Sequence, residues 1–171
     1  MTVTTESSGN KLTLGIAIGC LAGCLAAVVA TLCLGGVLLG FLTDEPENVS
    51  IDVSAPLTIS RGESFTIEVQ LENSAGQAQS LDSIDIDLTY LDGIAIERTD
   101  PPFTETIRND LVSGLAFQSY YFEHDIPIGG TLTVTFSAVA LKAGDFAGDL
   151  DVCINSSAAF RTFPIRTVVG E

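Results

Sequence analysis

Two patterns of apolar and polar positions divide this chain. From Leu12 to Leu42 no residue is charged, and only Thr13 and Thr31 carry a hydroxyl. From Ser64 to Glu72 the pattern alternates strictly, with Phe65, Ile67, Val69 and Leu71 on one side and Thr66, Glu68, Gln70 and Glu72 on the other. The first pattern predicts a membrane-spanning helix and the second a half-buried strand.

The apolar run holds 31 residues, which as a helix is about 46 Å long against roughly 30 Å of hydrocarbon. A helix satisfies its own backbone in lipid, and tilt absorbs the excess length. A cleaved signal peptide and a lipoprotein cut before Cys24, at Leu21-Ala22-Gly23-Cys24, compete with this reading. The 18 apolar residues that follow Cys24 form a stop-transfer pattern and favour a retained helix. Lys11 and the α-amine precede the run, whereas Thr43-Asp44-Glu45-Pro46-Glu47 follows it. The positive-inside rule then puts the N-terminus in the cytoplasm and the C-terminal domain outside.

The expected organisation is a short cytoplasmic tail (1–11), a transmembrane helix (12–42), an acidic linker (43–48) and an exported domain (49–171). Within the helix Gly15, Gly19, Gly23, Ala27, Thr31 and Gly35 recur every four residues, and Gly36 and Gly40 repeat the spacing. Such small-residue stripes let helix backbones approach closely, so Gly15, Gly19, Gly23, Ala27, Gly36 and Gly40 are candidates for packing against other membrane helices. Membrane lipid is the other partner of this segment.

Beyond the linker the period is two. Val49, Ile51 and Val53 begin weakly, and Leu81 to Tyr90, Thr131 to Leu141 and Leu150 to Ile154 continue. Inward positions are Ile84, Ile86, Leu88 and Tyr90 in one strand and Leu132, Val134, Phe136 and Ala138 in another. Turn residues at Asn73-Ser74-Ala75-Gly76, Asp92-Gly93, Ile128-Gly129-Gly130 and Ala143-Gly144-Asp145 separate these runs. About seven strands in two antiparallel sheets, an immunoglobulin-like all-β sandwich, are expected. Pro164 marks the last strand, Phe160 to Val169, as an edge.

The run Val69 to Gly76, the turn Leu91-Asp92-Gly93-Ile94, Pro101-Pro102 and the hairpin Ile128-Gly129-Gly130-Thr131 resemble the DUF11 and CARDB-type Ig-like modules of prokaryotic surface proteins. The resemblance implies the sandwich fold and no catalytic residues. Asp92 stands where that family often has proline, and the module is single rather than tandem.

Charge narrows the partners. The net charge of −15 belongs to the region beyond residue 42, because the first 42 residues hold one acid, Glu6, and one base, Lys11. This surface repels phosphate backbones, so nucleic acid is excluded as a partner. His124 is the only histidine, and no hydrolase, zinc or phosphate-loop motif appears; no enzyme activity and no cofactor are expected. Asp82, Asp85 and Asp87 with Asp145, Asp149 and Asp151 would offer oxygen ligands to calcium if two loops converged, although neither set matches a calcium-loop motif. As alternating residues, Asp85 and Asp87 are expected to point outward. Alternation also puts Cys153 outward beside Asp149 and Asp151, either covered or available for an intermolecular disulfide. Asn48 and Asn155 stand in glycosylation sequons. Thr99 to Leu115 reads as a long loop, which with Phe103, Tyr120 and Cys153 supplies candidate partner contacts.

These features lead to two functional expectations. One is a membrane-anchored, non-enzymatic accessory subunit; the other is a free-standing surface receptor or adhesion module.

Overall fold

A computed structural model describes residues 48–112 and 115–171. The expected tail, the expected helix over 12–42 with its six candidate packing positions, and the linker up to residue 47 lie outside the described residues. Among the described residues no helix is long and apolar enough to cross a membrane.

The described chain is an all-β sandwich of ten strands. They are β1 (Val49–Ser54), β2 (Thr58–Ser60), β3 (Ser64–Asn73), β4 (Gln79–Asp87), β5 (Ile94–Asp100), β6 (Glu105–Val112), β7 (Leu115–Ile126), β8 (Thr131–Ala140), β9 (Gly144–Ile154) and β10 (Phe160–Gly170). One helical turn, α1 (Leu88–Leu91), follows β4. The four-stranded sheet runs β1-β3-β8-β5 and the six-stranded sheet β2-β10-β9-β4-β7-β6. In sequence order these are the A-B-E-D and G-F-C arrangements of an immunoglobulin-type sandwich, with the β7-β6 hairpin extending the second sheet.

The period-two pattern builds the core as expected. Ile67, Val69 and Leu71 of β3 and Val134, Phe136 and Ala138 of β8 are wholly buried, and they face Ile84, Ile86, Leu150, Val152 and Ile154 of the other sheet. Their burial on both inner faces drives the pairing of layers that could not shed water alone. Phe136 joins the layers through edge-to-face contacts with Tyr120 and Phe122, at centroid distances of 5.4 and 6.1 Å.

Several expectations need correction. The strands number ten rather than about seven: β2 has only three residues, and β6 lies at an edge where water reaches both sides and relaxes the alternation. The segment 99–115 is therefore mostly strand, with a short connection at 101–104. The strand expected to reach Tyr90 stops at Asp87; α1 then swings Tyr90 into the core and leaves Leu88 only half-buried. The sheets are not purely antiparallel, because β2 runs parallel to β10. β10 is second from the edge, but β2 pairs only with Val168–Gly170, so Pro164, which has no N–H to give, still faces no partner on that side.

Two polar networks tie the ends together. Asn73, fully buried, accepts from the Ala75 amide at 2.9 Å and donates to the carbonyls of Gln77 and Ile126, each at 2.9 Å. At the crossing from β1 to β2, the buried Thr167 hydroxyl donates to the Pro56 carbonyl at 2.9 Å and meets the Tyr90 hydroxyl at 3.0 Å.

Candidate partner-binding face

The outer face of the six-stranded sheet gathers the unusual chemistry. Register places Thr162, Asp151, Asp85, Ser119 and Ile107 side by side across β10, β9, β4, β7 and β6. The row above it holds Phe160, Cys153, Ser83, Tyr121 and Glu105. The row below contains Pro164 and Asp149 on β10 and β9, and Asp87, Phe117 and Asn109 on β4, β7 and β6. Asp87 accepts the Asp149 amide at 3.0 Å, which closes that row between β9 and β4. Four aspartates thus occupy adjoining positions on two neighbouring strands. Like charges directly opposite one another destabilise a sheet.

β4 reaches this arrangement through a bulge. Its register shifts between Leu81 and Ser83, so Leu81 and Ile84 both enter the core while Ser83, Asp85 and Asp87 face outward. Outward does not mean solvated here. Asp85 and Asp87 are half-buried, and Ser83, Ser119 and Cys153 are each only 1 % exposed. Gly148 permits the close approach of β9 to the end of β4: a Cβ there would sit 2.7 Å from Asp87 Cβ.

The carboxylates differ in their partners. Asp151 accepts from the Thr162 hydroxyl at 2.6 Å. Asp85 meets the Cys153 thiol at only 3.9 Å, and its Oδ1 is buried without a hydrogen bond. Ser83 Oγ is likewise buried and unpaired, although it lies close enough to help hold the Asp85 charge. Burial raises the Asp85 pKa, and Asp151 and Asp82 raise it further against the pull of the Ser119 and Ser83 hydroxyls. Burial likewise raises Asp151, with Asp149 and Asp87 adding to the effect. Asp82 is raised by burial and by Glu123.

Cys153 occupies the outward position that alternation predicts, but the Ser156–Ala159 turn lies over it and its thiol meets the Ser157 carbonyl at 4.0 Å. Burial, with the neighbouring carboxylates, pushes the thiol up to about 12. A thiol so protonated and enclosed is a poor partner for an intermolecular disulfide. Tyr120 is buried, at 7 % exposure, and the half-buried Phe103 stacks edge-on against it at 5.6 Å.

The two aspartate sets do converge, by strand pairing rather than by loops, except that Asp145 is engaged by Arg166 at 2.6 and 2.8 Å. Among the described residues no three His, Cys, Asp or Glu side chains come close enough to hold a metal ion. His124 is exposed on β7. The amide of Asn155 is occupied by Gln79, whereas Asn48 uses its backbone carbonyl to hold Ser74.

No family model matches the chain, and no curated protein matches it. Solved structures similar in outline include an enzyme described as catalysing macrocyclization in alchivemycin A biosynthesis, at 13% identity and TM-score 0.49, over 74% of this chain and 90% of that one. The cupredoxin domain of amoB from Nitrosocaldus yellowstonii aligns at 14% identity and TM-score 0.45, over 74% and 90%. A putative membrane-anchored protein from Corynebacterium diphtheriae aligns at 11% identity and TM-score 0.41, over 75% and 37%. These likenesses are too distant to bear on chemistry; the sandwich assignment stands on the strand order itself.

Proposed function

We propose that this chain is a membrane-anchored, non-enzymatic accessory subunit. A helix over 12–42 docks among other membrane helices, and the sandwich contacts a partner outside the cytoplasm. One observation carries the reading: a charge-free run of 31 residues precedes a domain whose outer sheet face concentrates half-buried carboxylates that no base of the described chain neutralises. The resemblance to Ig-like modules of prokaryotic surface proteins supports the same placement.

The test is purification of the intact protein from its native membrane in gentle detergent, with co-purifying chains identified. A stoichiometric partner that is lost when Gly19 and Gly23 are both replaced by leucine supports the proposal. Recovery of the protein alone, or as a homodimer, refutes it and turns attention to a free-standing surface module.

A further inference from the structure

The described domain contains six bases, and each is committed away from the aspartate cluster. Arg61 pairs with Glu171, Arg108 with Asp110, Lys142 with Asp92 and Arg166 with Asp145. Arg98 bonds Ser137, and Arg161 lies over the Phe163 ring and reaches the Val49 carbonyl. Asp85, Asp87, Asp149 and Asp151 therefore receive no countercharge from within the domain. Where the cluster meets the row of Cys153, Ser83 Oγ and Asp85 Oδ1 are two buried oxygens without hydrogen bonds. Unpaired buried oxygens cost stability and become favourable contacts only when a donor arrives.

Resting on the accessory-subunit reading, we infer that this face binds a basic segment of a partner protein, with one lysine or arginine side chain entering between Asp85 and Asp151. Chemistry selects this occupant over a metal ion. A hard divalent cation wants six or more oxygens around it, whereas a sheet face offers ligands from one side, and among the described residues no three acids converge closely enough to hold a metal ion. An ammonium or guanidinium brings several N–H donors from the open side and matches a carboxylate pair with a neighbouring hydroxyl. Around the acids stand Phe160 at 36% exposure, Ile107 at 39%, and the half-buried Phe117 and Tyr121. This frame suits a segment in which basic and apolar residues alternate. The exposed Asp149 provides the open side of the cluster.

The probe is a labelled synthetic peptide of alternating lysine and valine, titrated against the full-length protein in neutral detergent micelles and followed by fluorescence anisotropy. Asp85→Asn with Asp151→Asn is expected to weaken binding about tenfold. Asp52→Asn with Glu68→Gln, an equal charge loss on the outer face of the other sheet, is expected to change it less than about twofold. Asp149→Lys, at an exposed position, gives the same weakening as the first pair should that pair not fold. Equal losses from both pairs would reduce the effect to diffuse charge and overturn the inference. So would an absence of peptide binding, or displacement of the peptide by calcium chloride but not by sodium chloride at matched ionic strength. Any such failure leaves the accessory-subunit reading intact, because that reading is judged by co-purification from the native membrane.

Discussion

Asn73 and Ser83 are both buried polar residues at strand positions, yet they sit in opposite states. Asn73 has every side-chain group satisfied, and it locks the end of β3 to the turn before β4 and to the end of β7. Ser83, on a bulge beside Asp85, has an unpaired hydroxyl next to an unpaired carboxylate oxygen. A saturated polar site in a sandwich fixes geometry; an unsaturated one holds free energy that an incoming group can recover.

Mutation separates the two by size. Asn73→Ala orphans the Ala75 amide and two carbonyls and is expected to cost about 3 kcal/mol, read as a lowered midpoint in chemical or thermal unfolding. Ser83→Ala removes a hydroxyl that makes no full hydrogen bond but sits beside the Asp85 charge, and the same assay is expected to show a change of less than about 1 kcal/mol. A loss at Ser83 comparable to that at Asn73 would mean the hydroxyl is satisfied after all, and the contrast would collapse. Between these, Tyr90→Phe leaves Thr167 bonded to Pro56 and is expected to cost only about 1 kcal/mol.

Protonation gives a subtler probe. Asp85 and Asp151 have folded pKa values raised above the ordinary 3.8. The folded state therefore binds protons more readily than the unfolded state, and their contribution to stability is fully present below that ordinary value. It is lost as pH rises through the raised values. Asp145, lowered chiefly by its hydrogen bond to Arg166, has the opposite sign. Comparing the unfolding midpoint across the mildly acidic range in wild type and in the Asp85→Asn, Asp151→Asn pair isolates the first contribution: the wild type should lose relative stability as pH rises. A parallel pair of curves would deny the cluster its shared strain.

Much of the sandwich was legible because burial on one face enforces period two. β3 and β8 show their inward residues plainly, and the Asn73 and Gly129-Gly130 turns mark where they end. β6 and β7 were hidden for physical reasons: the edge strand β6 is wetted on both sides and has no strict alternation, and the aromatic run Tyr120-Tyr121-Phe122 of β7 has residues facing both ways. The candidate site was half legible. Both aspartate sets stood out in the sequence, but pairing β4 with β9 joins residues more than 60 positions apart, and no local pattern encodes that register. The outward parity of Cys153 was readable; its cover, the turn carrying Ser157, was not.

The opening strand also determines how the domain would bear mechanical load. Tension entering at Asn48 along β1 meets six residue pairs with β3 in shear, so they resist together rather than parting one after another. Past Pro56 the chain crosses to the other layer and runs beside β10. A load applied at Asn48 would thereby pass to both sheets, through β3 and through β10.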